Sequence, residues 1–355
     1  MGDRSKIATR SIMRAAAVAC ESECRTLLGT LYGARGSSAR ERLGLLDRVS
    51  QRLCETVDRA ELLRCVHPAE EARREADGVF EVLSHLIATL NTSEELHAST
   101  QGICRDGEGG FGEEERRVAE AYRAELEAHG VHLGPAVRAQ VVALQGRIGA
   151  LSHGFASGER AALGPLLAAR RRLAALLGHA SYAHYVLPSR VLCSPARVEA
   201  LLAALEALPR PAAGAARPGP APEVGLEQVL ATLAGLSRQL FGLEVAEARD
   251  FPGRWHPAVR CLEAGPRGLV FLDLLARPGK VPQPCTFQLR FDVANTRGDP
   301  RAAPRNECAM VASVEDPARL SVYEVRANCS FFFLLSFFFR WRACFTSGAT
   351  CWPRC

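Results

Sequence analysis

Apolar residues three and four positions apart dominate this chain from Ser37 to Phe241, a period that commits most of it to amphipathic helices. Between Ser37 and Cys65 the stripe is Leu43, Leu46, Val49, Leu53, Val57, Ala60 and Leu63; the next is Ala72, Ala76, Val79, Phe80, Leu83, Ile87 and Leu90. Asn91 breaks the second stripe, and Thr92-Ser-Glu-Glu95 reads as a capping box for another helix. Gly107 to Gly112 holds four glycines in six residues and predicts a loop. Helices follow from Glu113 to Gly130 (Val118, Tyr122, Leu126) and from Pro135 (Val137, Val141, Leu144, Ile148, Leu151). Three more run from Leu163 to Leu177 with Gly178 beyond, from a Ser194-Pro195 cap to Leu208, and from Leu226 to Phe241 with Gly242 beyond.

The texture then changes. Gly268 to Leu275 is a short apolar run of strand formers, and Cys285 to Phe291 alternates apolar and polar residues. Pro278, Gly279, Pro282 and Pro284 mark the turn between them. The fold class is therefore mainly α, with a small β-sheet near residues 268–293. Residues 1–36 are expected to be unstructured or weakly presequence-like, because Arg4, Lys6, Arg10 and Arg14 stand among small residues, although Asp3, Glu21 and Glu23 run against that reading. A helical domain is expected over 37–208. A linker of five prolines, two glycines and five alanines runs from Pro209 to Pro222, and a second domain covers 224–325. After Val325 the chain breaks character: Arg326-Ala-Asn-Cys-Ser leads into Phe331 to Phe339, and 326–355 reads as an aberrant, aggregation-prone tail. Its apolar run of about nine residues is too short for a membrane span, which needs about 20.

Charge narrows the function classes. The net charge of +5 is interleaved rather than clustered, and the one basic run, Arg170-Arg171-Arg172, lies within a helical pattern, so nucleic acid is not an expected partner. Thirteen cysteines include no Cys-x-x-Cys pair; Cys20 with Cys24 and Cys351 with Cys355 are each one residue too wide. Free, mostly buried thiols in a reducing compartment are expected.

Three blocks carry a family resemblance. Arg172-Leu-Ala-Ala-Leu-Leu-Gly-His-Ala-Ser-Tyr-Ala-His-Tyr185, Gly268-Leu-Val-Phe-Leu-Asp-Leu-Leu-Ala-Arg-Pro-Gly-Lys280 and Leu320-Ser-Val-Tyr-Glu-Val325 resemble, in order, conserved segments of the thimet oligopeptidase family of zinc metallopeptidases. His67-Pro68 through Leu90-Asn91-Thr92, and Arg116 to Glu120 with Gly130 to Leu133, resemble its mitochondrial precursor-processing branch. The resemblance spans about residues 40–325, with deletions near 155–163 and at the linker. It implies the helical half of a two-lobed, channel-type fold, zinc as cofactor, peptides or unfolded precursor segments as partners, and the mitochondrial matrix as location. Such an enzyme carries His-Glu-x-x-His on a helix, with a later Glu as third ligand. The resemblance places that helix just after Glu324-Val325, but no His-Glu-x-x-His occurs and the last histidine is His256. No catalytic, cofactor-binding or metal residue is therefore assigned, no bound zinc is expected, and the chain is expected to be inactive. The alternatives are a non-catalytic helical fragment that binds peptides or a partner, or the unstable product of an aberrant transcript.

Other candidates reduce to structural roles. Glu94-x-x-His97 has the spacing of a di-iron ligand pair but occurs once where two are needed, so a helix surface is expected. His129 and His132 flank Gly130 at a helix end, and His179 and His184 do not share a helical face. Asp273 and Arg277 are expected to form a buried ion pair or turn contact.

Overall fold

The computed structural model describes residues 2–34, 36–156, 158–208, 224–248, 254–265, 268–290 and 306–320, with side chains from residue 13 onward except at 156. The linker, the Phe331–Phe339 run, the 326–355 tail and residues 321–325 of the third block lie outside the described residues. Ten helices are described: α1 (Gly2–Gly33), α2 (Ala39–Val66), α3 (Glu70–Asn91), α4 (Glu94–Asp106), α5 (Glu113–Ala128), α6 (Pro135–Ala156), α7 (Leu163–Leu176), α8 (Tyr182–Val186), α9 (Pro195–Glu206) and α10 (Leu226–Phe241). Five strands follow: β1 (Val245–Glu247), β2 (Arg260–Ala264), β3 (Gly268–Leu275), β4 (Cys285–Arg290) and β5 (Asn306–Val314). The protein is mainly α with a small mixed sheet. Among the described residues no helix is long and apolar enough to cross a membrane.

The N-terminus departs from expectation. Residues 2–33 are not unstructured but form α1. Ala17, Cys20, Cys24, Leu28 and Leu31 recur every three or four residues and are buried against α2. Two cysteines and an alanine make this stripe weak on a hydropathy scale, although they pack as apolar groups. α2 opens on a full capping box, in which Ser38 accepts from the Glu41 amide and the Glu41 carboxylate accepts from the Ser38 amide. The cap of α4 is shifted by one from Thr92: Ser93 accepts from the Leu96 amide, while the Thr92 hydroxyl donates back to Ala88 O at 3.1 Å.

The chain forms two compact units. Of the described residues, one unit holds those within 2–83, 109–118 and 224–320; the other holds those within 84–108 and 119–208. This differs from the linear expectation, since α2 and most of α3 do not belong with the later helices of the expected 37–208 domain. The reason is visible in the packing of α2, whose last turn lies on the sheet.

In the first unit the sheet runs β1-β2-β3-β5-β4, with β3 and β5 parallel and every other neighbour antiparallel. Each face has its own core. On one, Leu226, Val229 and Leu233 of α10 meet Val270, Leu272, Leu274, Cys308 and Met310. On the other, Leu62 and Val66 of α2 meet Leu269, Phe271, Phe287, Ala309 and Val311. β3 thus alternates between two apolar layers, which is why Gly268 to Leu275 reads as an apolar run broken only by Asp273. The second unit is helical. Its α6 and α7 pack around Val141, Ile148, Leu166, Ala169 and Leu173, with Tyr182 and Tyr185 of α8 closing one side.

Candidate functional site

The second resemblance block folds into a buried charge cluster at the end of β3. Period-two alternation places Asp273 on the same sheet face as Leu269 and Phe271, where its side chain is only 1% exposed. A buried carboxylate survives only if its lone pairs are filled. Arg277 donates to it twice, Nη1 to Oδ1 at 2.5 Å and Nη2 to Oδ2 at 2.7 Å. Lys280 Nζ donates to Oδ1 at 2.8 Å, and the Trp255 indole N–H to Oδ2 at 2.7 Å. Burial pushes the Asp273 carboxyl up, but these donors outweigh it and hold the group below the usual carboxylate range.

The same turn also caps a helix. Arg277 Nη2 donates to Val66 O at 2.7 Å and the Val281 amide to Cys65 O at 3.0 Å, so the last carbonyls of α2 are satisfied from the β3–β4 turn. Gly279 has φ +78°, and a Cβ there would lie 2.7 Å from Arg73 Nη1. Arg73 in turn donates to His67 O and Pro68 O at 2.7 and 3.1 Å. Asp, Arg, Gly and Lys at positions 273, 277, 279 and 280 are therefore the parts of one staple between helix, strand and turn. Lys280 uses its three N–H groups on Asp273 Oδ1, Asp273 O and Leu275 O, and no solvent reaches its side chain. Neither an acid nor a base is left free for a substrate. The sequence pointed to the Asp273–Arg277 pair; it missed Trp255 and Lys280, although Lys280 closes the same block.

The first block is an aromatic knot in the second unit. His179 and Tyr182 each lie against Tyr185, with ring centroids 5.5 and 5.7 Å apart, and the Arg170 guanidinium covers Tyr182 at 5.0 Å. Ser181 caps α8, accepting from the His184 amide, and its hydroxyl lies 2.8 Å from His184 Nδ1. Arg172 reaches Gln140 at 3.4 Å, an ordinary helix-surface contact. Burial pushes the Tyr185 hydroxyl up, and the nearby Glu125 adds to that shift. Burial also raises Glu125, against the attraction of His129 and Arg190.

The remaining histidines are dispersed. His97 Nε2 faces Glu127 at 3.3 Å on the surface of α4 and α5. His129 Nδ1 donates to Glu125 O at 2.8 Å at the end of α5, while His132 is exposed. His67 and His256 each accept from the amide two residues on. Burial lowers the pKa of His67. Zinc needs three protein ligands at a hydrolytic centre, and among the described residues no three His, Cys, Asp or Glu side chains come together to hold a metal. The described residues do not fit that ion.

None of the described cysteines is in a disulfide. Cys65, in α2, and Cys285, in β4, flank the staple and are pushed up by burial, to about 12 and about 11, with Glu61 adding. Neither is a nucleophile at neutral pH.

No family model matches this chain. Among curated proteins it is 31% identical over 112 residues to a mitochondrial intermediate peptidase of Scheffersomyces stipitis, covering 31% of this chain and 14% of that protein. It is 35% identical over 112 residues to the same-named protein of Mycosarcoma maydis, covering 31% and 13%. To that of Pleurotus djamor it is 24% identical over 351 residues, covering 66% of this chain and 45% of the relative. The chain spans less than half the length of these relatives. The matches support a relationship to mitochondrial peptidases.

Proposed function

We propose that this chain carries part of the scaffold of a zinc metalloendopeptidase that trims mitochondrial precursor peptides in the matrix, and that it performs no peptide hydrolysis itself. The relationship to proteins named mitochondrial intermediate peptidase supports the family and the compartment. The observation that carries the second half is the absence of any His-Glu-x-x-His in the 355 residues. In such enzymes the metal polarises the scissile carbonyl and lowers the pKa of its bound water to about 7. What this chain's own residues supply is architecture. The Asp273 staple fixes a parallel-paired strand against α2, and the Tyr182–Tyr185 knot fixes the turn after α7. The test is a cleavage assay on quenched peptides spanning precursor processing sites. No chelator-sensitive turnover is expected; turnover that a chelator abolishes and zinc restores would refute the proposal.

A second reading, peptide capture without turnover, has its own support. Among the described strands β4 pairs only with β5, so its other side has no described strand partner, although Arg59 of α2 donates to its Leu289 O at 3.1 Å; this edge is where an extended peptide could add. Calorimetric titration with extended peptides should then show binding, and a flat titration would count against it.

A further inference from the structure

A buried pair of thiols on α1 takes no part in the reading above. Cys20 and Cys24 stand about one helical turn apart, so their sulfurs leave the same helix face. Both residues are closed to solvent, at 0% and 1% exposure. Cys20 Sγ lies 3.5 Å from Arg52 O and Cys24 Sγ 4.0 Å from Val49 O, so both sulfurs are lodged between α1 and α2. The two thiols lie against each other, with Thr56, whose hydroxyl donates to Arg52 O at 2.9 Å, and the Glu23-paired Arg52 alongside. The contact with Cys24 and these neighbours hold the Cys20 thiol below its ordinary pKa, while the same contact and burial hold Cys24 above.

Several uses of a dithiol are excluded by geometry. A disulfide needs β-carbons about 3.5–4.5 Å apart, whereas residues one turn apart on a helix hold them at about 5–6 Å. Zinc and other four-coordinate ions need further ligands, and no third His, Cys, Asp or Glu completes a metal-holding group here among the described residues. What suits two sulfurs in a dry, apolar interface is a soft ion satisfied by thiolate ligands alone.

We propose that Cys20 and Cys24 form a two-sulfur site for a soft monovalent cation of the copper(I) class, held in the α1–α2 interface. Binding changes no oxidation state. The ion bonds to both sulfurs, the thiol protons leave to solvent, and the bis-thiolate complex carries one negative charge beside Arg52, whose guanidinium also pairs with Glu23 and Glu55. Entry requires only local opening of the α1–α2 contact.

The test is a titration of the reduced full-length chain with copper(I) under anaerobic conditions, against a chromophoric copper(I) chelator. One equivalent is expected to resist the chelator, with affinity falling at least tenfold in Cys20→Ser and in Cys24→Ser. Cys54→Ser, another buried thiol, and the double variant Cys351→Ser/Cys355→Ser, which has the same spacing in the tail, should leave it unchanged. No retained copper, or a loss that follows the tail variant instead, overturns the proposal. Should a α1 variant fail to fold, X-ray absorption on the copper-loaded wild type decides. Two sulfur neighbours and no nitrogen or oxygen are expected; any other ligand set overturns the site.

Discussion

Replacing Asp273 by Ala removes the acceptor at the centre of four hydrogen bonds from Arg277, Lys280 and Trp255. A hydrogen bond to a charged group contributes about 1.5–3 kcal/mol, so the gross loss is about 6–12 kcal/mol. Part of that only offsets the cost of burying the carboxylate, a cost that vanishes with it. What remains is two cations, with side chains 10% and 0% exposed, left facing each other. Breaking a buried pair in this way costs about 3–5 kcal/mol, against a typical domain stability of about 5–15 kcal/mol. Urea denaturation followed by far-UV circular dichroism should show a loss in that range. Adding Lys280→Met should recover part of it, because one stranded charge goes too. A loss below about 1 kcal/mol would refute the reasoning, since only a solvent-screened pair is that weak. The same carboxylate sets an acid limit. Its folded pKa lies below the ordinary value, so its contribution is full above about pH 4 and is lost as pH falls through the folded value. Asp273→Asn should therefore flatten the acid side of the stability profile.

Gly279→Ala combines a left-handed backbone with a close approach to Arg73 and should cost about 1–2 kcal/mol in the same assay, mostly as strain. Ser38→Ala removes half of the capping box and should cost about 1 kcal/mol. Leu31→Ala, which empties a site buried against α2, should cost about 2–5 kcal/mol, and a negligible loss would refute the packing of α1.

Periodicity read the helices well where the stripe is made of Leu, Ile and Val. α10 and the caps at Ser194-Pro195 and Gly242 fall where the residues place them. At the end of α2 the stripe drifts, with Leu62 buried rather than Leu63, because that turn faces the sheet. α1 was illegible because three of its five buried anchors are Cys and Ala. β5 was missed for another reason. It lies between β3 and β4 with apolar cores on both faces, so Asn306 to Val314 shows no period-two alternation, and Ala and Met serve helices equally well. β1 is three residues long and carries no pattern at all. At the candidate site, sequence spacing could pair Asp273 with Arg277, but Trp255 approaches from the loop before β2, a contact that spacing cannot reveal.

The central claim is a peptidase scaffold without a zinc site of its own, and metal stoichiometry tests it most directly. The full-length chain, purified with zinc present and then desalted, would be assayed by plasma mass spectrometry. The account predicts zinc far below stoichiometric. About one tightly held zinc per chain, removable only by a strong chelator, would contradict it.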